Sequence, residues 1–337
     1  MIGVGIIGFG YWGPNLVRNF FQTKGARVRV VCDARPGRLE TAAAGYPSVR
    51  VTTDPMDCIN DPEVDAVAVA TPVSSHYDLA LAALRAGKHV LVEKPMTAGV
   101  EQGRRLVDEA ARRSLTLMVD HTFIYMGAVR KIQEIMAQES FGDVYYYDST
   151  RVNLGLFQHD VNVIWDLAVH DLSIMDFLLP QKPVAVSATG MAHVPGRPEN
   201  VAWLTFYFQE NVVAHVNVNW LSPVKLRQTL IGGNRKMIVF DDLHSSEKVR
   251  VYDRGITLTE DPESMYKVMV GYRTGDMWAP AYEQTEALRL EAAHFVDCLE
   301  HGTSPITGGE MGLRVVGALE AADASLKKRG QLVELPR

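Results

Sequence analysis

Short, almost wholly apolar runs alternate with helical periodicities over the first third of the chain. Val4 to Ile7, Val28 to Val31, Ala66 to Ala70, His89 to Val92 and Leu115 to Val119 have the length and continuous apolarity of strands covered on both faces, as in a parallel sheet. Between them Leu16, Val17, Phe20 and Phe21 recur on one helical face, as do Leu79, Ala82, Ala83 and Ala86 ahead of the helix-stopping Gly87. Strand alternating with helix predicts right-handed crossovers on a doubly wound sheet, an α/β domain of Rossmann type over residues 1–122.

The texture then changes. Val144 to Val152, Val184 to Ala188, Val201 to Phe208, Val212 to Trp220, Gln228 to Ile231, Lys236 to Phe240 and Lys248 to Tyr252 read as successive strands, most with two-residue alternation. Helical stretches at about 126–139 and 163–178 interrupt them, and two more, about 283–301 and 308–328, close the chain. The pattern predicts an α+β domain over 123–337 with a large, mostly antiparallel open sheet covered on one face by helices. Few helices follow it, so its other face is a candidate for self-association, with the symmetry left open by the pattern.

Composition narrows the function classes. A chain of 337 residues suits two domains, and 47% apolar with 22% charged residues excludes a disordered or collagen-like polymer. Lys plus Arg number 34 against 40 Asp plus Glu, and the net charge of −6 gives no pull toward nucleic acid. Cys32, Cys58 and Cys298 are far apart and form no C-x-x-C pair, which argues against a disulfide framework and a cysteine zinc site and fits a reducing cytoplasm. The N-terminal MIGVGIIGFGYWG lacks the basic start of a signal peptide, and no apolar run approaches a membrane span, so neither secretion nor a membrane partner is expected.

Gly8-Phe9-Gly10-Tyr11-Trp12-Gly13 is a G-x-G-x-x-G set between the first strand and an amphipathic helix. In that place Gly8 makes the tight turn, Gly10 lets backbone approach a pyrophosphate, Gly13 lets the helix pack on the strand, and Pro14 suits the helix's first turn. Tyr11 and Trp12 stand beside them as cofactor-side candidates. Asp33, 20 residues beyond Gly13 and just after a strand, can accept from adenosine ribose hydroxyls and would repel a 2′-phosphate, which favours NAD over NADP. Arg35 leaves NADP open, because its guanidinium can bind that phosphate or stack on adenine. Thr71-Pro72-Val73-Ser74-Ser75-His76 follows another strand at the end where such sheets place ligands, so Thr71, Pro72 and His76 are candidates on the nicotinamide side. A helix-capping serine and a surface histidine explain the same residues. Glu93-Lys94-Pro95 ends the next strand, where the Lys94 cation can stabilise a developing alkoxide or share in proton transfer; a solvated surface lysine is the plain alternative.

In the second half Asp166 and His170 lie four apart in a helical stretch and project from one face, beside Trp165. Histidine can carry a hydroxyl proton near neutral pH, and a carboxylate one turn away can orient it or bond a sugar hydroxyl; a helix-stabilising pair accounts for them equally. No H-E-x-x-H or clustered cysteines accompany them, so no metal is expected. His121, Arg151 and Asn153 are weaker substrate-side candidates: Arg151 can pair with a diphosphate or with a structural carboxylate. Trp220, Trp278, Pro280 and Tyr282 could wall a ligand, though core packing explains them more simply.

These residues together resemble the Gfo/Idh/MocA oxidoreductase family: GFGYWG at 8–13, ATP at 70–72 followed by His76, EKP at 93–95 and D-x-x-x-H at 166–170. EKP is far more diagnostic than the glycine motif, and the resemblance spans nearly the whole chain. It implies a Rossmann domain, an α/β domain whose open sheet forms a dimer or tetramer, and NAD(P)-dependent oxidation or reduction at a carbinol carbon of sugars, inositols or nucleotide sugars. Lys94 matches the family's active-site lysine, and Asp166 and His170 its aspartate and histidine. GYWGPNLVRNF, RVNLGLFQ and VIWDLAVHDLS are similar to a bacterial branch acting on nucleotide sugars, of the UDP-N-acetylglucosamine 3-dehydrogenase kind. The expectation is therefore a cytoplasmic NAD-dependent enzyme that oxidises a secondary hydroxyl, at carbon 3 of a UDP-linked amino sugar. His170 is the expected general base, Lys94 the oxyanion stabiliser and Asp166 the orienting partner, with Lys94 and His170 both open as immediate proton acceptor. The rivals are a dehydrogenase of free sugars or inositol, and a non-catalytic sensor of dinucleotide or sugar.

Overall fold

The computed structural model describes residues 1–155, 161–258 and 270–336. They form two compact units, Met1–Met126 with Thr285–Glu320, and Gly127–Gln284 with Ala321–Arg337.

The first unit is built on six strands, β1 (Ile2–Ile7), β2 (Ala26–Cys32), β3 (Arg50–Thr52), β4 (Ala66–Val69), β5 (His89–Glu93) and β6 (Leu117–Asp120). All neighbours are parallel, in the order β3-β2-β1-β4-β5-β6. Crossovers run through α1 (Gly13–Gln22), α2 (Pro36–Gly45), α3 (Pro55–Ile59), α4 (His76–Arg85) and α5 (Val100–Arg112). The order reverses between β1 and β4, and parallel sheets of this kind take their ligands at the carboxyl ends of the strands around that reversal. Both predicted helix faces shift in detail. Leu16, Val17 and Phe20 are buried, but Phe21, a further 100° around α1, is 52% exposed and lies against Tyr46 with ring centroids 5.2 Å apart. On α4 Ala80, Ala83 and Leu84 are buried, Leu79 and Ala82 only half-buried, and Ala86 is exposed past the last helical residue.

The second unit begins with α6 (Gly127–Met136) and β7 (Val144–Leu154), followed by a π-helical turn, Ile164–Ala168, that leads directly into α7 (Val169–Leu178). Strands β8 (Ala185–Met191), β9 (Val201–Tyr207), β10 (Val213–Asn219), β11 (Leu221–Gly233), β12 (Met237–Asp241) and β13 (Val249–Tyr252) follow, then the ribbon β14 (Gly255–Leu258) with β15 (Val270–Arg273), and β16 (Met277–Trp278). With β17 (Val333–Glu334) they make a nine-stranded sheet, β16-β13-β12-β11-β7-β10-β9-β8-β17, antiparallel throughout except for β7 beside β10. Two-residue alternation sorts its faces: Leu204, Phe206, Ala214, Val216 and Val218 are buried, while Trp203 and Tyr207 are exposed on the opposite side.

Helices α8 (Ala287–His301) and α9 (Gly309–Lys327) change the expected division of the chain. Helix α8 and the first part of α9 belong to the first unit, so a second domain running unbroken from 123 to 337 does not describe the packing. The cause is the apolar face of α8, where Leu288, Ala292 and Phe295 are buried and Phe295 meets Phe20 of α1 edge-on, with centroids 6.2 Å apart. No helix among the described residues is long and apolar enough to cross a membrane.

Candidate active site

Every candidate in the first unit sits at the carboxyl end of a parallel strand, so the sheet itself gathers them on one edge. Beyond β1, Gly8 has φ +102 and donates its N–H to the Cys32 carbonyl at 2.7 Å. A Cβ on Gly8 would fall 2.3 Å from the Ala70 carbonyl oxygen, and one on Gly13 would fall 2.0 Å from the Gly8 carbonyl oxygen. Both glycines are therefore required by close backbone approach. A Cβ on Gly10 would meet only the Arg35 guanidinium, at 3.4 Å, which leaves the cradle open where a pyrophosphate needs the backbone. Helix α1 starts here without a side-chain cap, with Pro14 in its first turn, so it offers main-chain donors to an anion. Tyr11 is 92% exposed and Trp12 part-buried. These features fit a bound dinucleotide.

Asp33, just past β2, is buried and closes this turn from the side. Its Oδ2 accepts from the Phe9 N–H at 2.8 Å and from Arg35 Nη2 at 3.1 Å, while Oδ1 accepts from the Arg35 N–H at 2.9 Å and from Nε at 3.0 Å. Burial pushes the carboxyl up, but hydrogen bonds from the Arg35 side chain and from two backbone amides outweigh it and hold Asp33 below its usual range. Arg35 thus stands beside Asp33 with its side chain 61% exposed.

After β4, His76 is buried, which removes the surface-histidine reading. Its Nδ1 lies 2.9 Å from the Pro95 carbonyl and its Nε2 2.8 Å from the Thr71 carbonyl, so the ring ties the β4 turn to the EKP turn. Burial lowers its pKa, two carbonyl bonds oppose this, and the nearby Lys94 charge adds to the lowering. Ser75 does not cap α4; its hydroxyl donates to the Pro72 carbonyl at 2.9 Å and to Thr71 Oγ1 at 2.7 Å. Lys94 is part-buried at the end of β5, and its backbone N–H donates to Glu93 Oε2 at 2.9 Å.

Sequence reasoning missed the carboxyl cluster behind this edge. Glu93 and Asp120 face each other in register on β5 and β6, and Glu291 of α8, fully buried, reaches the same place. Asp120 Oδ2 accepts from the Trp12 indole N–H at 2.7 Å, and Oδ1 accepts from the Thr122 hydroxyl. Burial, then the proximity of Asp120, raises Glu93 and Glu291 well above the ordinary glutamate range, with Lys94 pulling Glu93 the other way. His121, adjacent in the chain, is also buried. A lone glutamate on an amphipathic helix carries no sequence signal for this; only its position on the buried stripe with Leu288, Ala292 and Phe295 hints at it.

In the second unit the π-helical turn carries Trp165 and Asp166, and α7 carries His170 and Asp171. Such one-turn insertions accompany functional sites often enough to be informative. Asp166 Oδ2 accepts from the indole N–H of Trp220, which is buried, at 3.0 Å. Arg151 is buried and bonded to Asp171, with Nε to Oδ2 at 2.7 Å and Nη2 to Oδ1 at 3.2 Å. Ser149 adds a hydroxyl bond to Asp171 Oδ1 at 2.7 Å. The structural carboxylate rather than an exposed diphosphate site is thus where the guanidinium points. Asn153 is part-buried further along β7; residues 156–158 of the RVNLGLFQ stretch lie outside the described residues. Trp278 is not core: it is exposed, with the Lys236 ammonium 5.4 Å from its ring centroid, while the part-buried Tyr282 donates to the Ser246 carbonyl at 3.2 Å. No cluster of His, Cys, Asp or Glu among the described residues is arranged to hold a metal ion.

An open glycine cradle beside a carboxylate at the switch point of a 3-2-1-4-5-6 sheet defines a dinucleotide-binding protein. Two family models match the chain: the oxidoreductase family with an NAD-binding Rossmann fold over residues 2–121, and the Gfo/Idh/MocA C-terminal domain over residues 129–239. The chain belongs to the Gfo/Idh/MocA family of NAD-dependent oxidoreductases. It is 29% identical over 255 residues, 74% of this chain and 77% of that protein, to UDP-N-acetylglucosamine 3-dehydrogenase of Acidithiobacillus ferrooxidans. It is 34% identical over 210 residues, 58% of each chain, to inositol 2-dehydrogenase 2 of Saccharopolyspora erythraea. The solved structure of the Acidithiobacillus ferrooxidans enzyme superposes with a TM-score of 0.83 at 25% identity, covering 98% of this chain and 100% of that one. An oxidoreductase from Agrobacterium radiobacter, solved with NAD+, L-tartaric acid and magnesium, shares the fold at 19% identity, with a TM-score of 0.83 over 99% and 98% of the two chains.

Proposed function

We propose that this oxidoreductase converts a secondary hydroxyl of a sugar to a ketone, at carbon 3 of a UDP-linked amino sugar. The observation that carries this reading is the likeness to UDP-N-acetylglucosamine 3-dehydrogenase, which extends in structure over nearly both whole chains. EKP at the end of β5 and D-x-x-x-H across the π-helical turn and α7 support it.

Bound NAD+ supplies the hydride-accepting chemistry, and Gly8, Gly10, Gly13 and Asp33 are the residues that hold it, with Tyr11, Trp12, Thr71, Pro72, His76 and Glu93 around them. The protein's task is to remove one proton and steady the charge left behind. In this reading His170 takes the hydroxyl proton as general base, and the Lys94 ammonium stabilises the developing oxyanion. Asp166, whose other duty is to accept the Trp220 indole N–H, orients His170. Lys94 is the alternative first proton acceptor, and the two assignments differ in which variant removes the acid limb of the rate profile. His121, Asn153 and Trp165 complete the proposed substrate side. Arg151, committed to Asp171, supports α7 from beneath.

The test is NADH formation from UDP-N-acetylglucosamine by the wild type, Lys94→Ala and His170→Ala. Losses of about a hundredfold or more in kcat are expected for each variant, and undiminished turnover in both removes the assigned roles. The similarity to inositol 2-dehydrogenase favours a second reading, oxidation of a free polyol. UDP competes with substrate in the first case and is without effect in the second. NAD+ binding with no turnover on either substrate class points to a sensor. The exposed sheet face bearing Trp203 and Tyr207 supports assembly as a dimer or tetramer, which light scattering after size exclusion measures.

A further inference from the structure

The carboxyl cluster of the first unit contains a group that no motif explains. Glu291 projects from α8 into the interior with no exposed surface, and neither of its oxygens has a donor of its own: the Thr122 hydroxyl beside it donates to Asp120. The carboxyl it meets is Asp120. Both Asp120 oxygens are already acceptors, Oδ2 for the Trp12 indole and Oδ1 for the Thr122 hydroxyl. Two buried carboxyls in contact are tolerated when a proton lies between them, and with both Asp120 oxygens already accepting, Glu291 is the carboxyl placed to carry it.

We propose that Glu291 is a positioning residue of the cofactor site: as a neutral acid it donates to Asp120, and Asp120 in turn anchors the Trp12 indole and so holds the glycine-rich turn from behind. Trp12 lies between Gly10 and Gly13 and precedes α1, so a shift of its indole moves the main-chain donors that face the pyrophosphate. Glu93 joins the arrangement from the β5 side through its register partner Asp120, and its Oε2 accepts the Lys94 N–H. The titratable groups around Glu291 are Glu93 and Lys94 at the end of β5, Asp120 and His121 at the end of β6, and His294 one turn along α8 against Tyr125; Arg18 of α1 pairs with Glu286 at the start of α8. The inference rests on the family's NAD site and not on the catalytic roles of Lys94 and His170.

The test is NAD+ titration without any sugar, followed by calorimetry from about pH 6 to about pH 9.5, on the wild type, Glu291→Gln, Glu291→Ala and Trp12→Phe. Gln keeps a neutral donor, so Glu291→Gln is expected within about threefold of wild-type affinity, whereas Glu291→Ala and Trp12→Phe weaken NAD+ about tenfold, the loss of one buried hydrogen bond. Wild-type affinity falls toward alkaline pH as Glu291 ionises, and that fall is smaller in Glu291→Gln. Wild-type affinity in Glu291→Ala overturns the proposal, as does equal weakening in folded Glu291→Gln and Glu291→Ala. Should Glu291→Ala not fold, identical alkaline limbs for wild type and Glu291→Gln overturn it. Failure of the catalytic assignments shows instead as a change in turnover, a separate measurement.

Discussion

The two units bury acidic side chains in different ways. In the second, Asp171 is compensated by a guanidinium: Arg151 and Asp171 are 3% and 2% exposed and share two hydrogen bonds, with Ser149 adding a third to the carboxylate. In the first, Glu93, Asp120 and Glu291 are brought together and steadied by an indole, a hydroxyl, a backbone amide and their own protons. The ion pair sets opposite charges against each other, whereas the carboxyl cluster is tolerated only where members of it stay neutral. The first arrangement suits a fixed support beneath α7; the second makes the cofactor edge sensitive to protons.

Breaking the ion pair has the largest expected effect. Arg151→Ala strands the buried Asp171 charge and is expected to destabilise the protein by about 3–5 kcal/mol in urea unfolding; a loss under about 1 kcal/mol would mean that water enters and the contrast is false. The next effect concerns pH. Glu93 and Glu291 are raised above their unfolded values, so the native chain binds more protons than the unfolded one above the ordinary glutamate pKa. Stability is therefore expected to decline as pH rises from that value until the native carboxyls ionise. Glu291→Gln removes one titrating group, and its thermal unfolding profile should be flatter over the same window, with a gain of about 1 kcal/mol at the alkaline end. Profiles that superimpose would show the cluster to be charged.

A third acidic group refines the comparison. Asp33 also pairs with an arginine, but the Arg35 side chain is largely exposed, so Arg35→Ala should change stability by less than about 1 kcal/mol. Asp33→Ser should instead act on ligand choice, narrowing the preference for NAD+ over NADP+ by about tenfold in binding titrations, since the repulsion of a 2′-phosphate is lost. The smallest expected effect is at the buried thiols. Burial pushes Cys32 up to about 11 and Cys58 up to about 12, so alkylation of the native protein near pH 8 should leave both unmodified until denaturant is added, as mass spectrometry would show.

Much of the cofactor edge was legible in the chain because its chemistry is local. Gly8, Gly10, Gly13 and Asp33 announce themselves by spacing around a strand and a helix, and Glu93, Lys94 and Pro95 by following another strand. The short β3, Arg50–Thr52, was not legible, because three residues carry too little periodicity to stand out from a loop. Nor was the return of Thr285–Glu320 to the first unit, since an amphipathic helix states that it has a buried face without stating what covers it. His76 looked like a surface residue or a ligand and is a buried tie between two turns; Arg151 admitted a diphosphate or a carboxylate and has Asp171.

The doubly wound parallel sheet and the glycine turn followed from the amino-acid pattern, because strand burial, backbone close approach and phosphate recognition each depend on residues near one another in the chain; the class of reaction followed from the family resemblance those motifs carry, and the strand order from the structure. The tertiary structure decided which charges are paired and which carboxyls are pushed above the ordinary range. Asp120 and Glu291 are separated by about half of the chain, and the protonation of a buried acid depends on its neighbours in space, which sequence spacing does not encode.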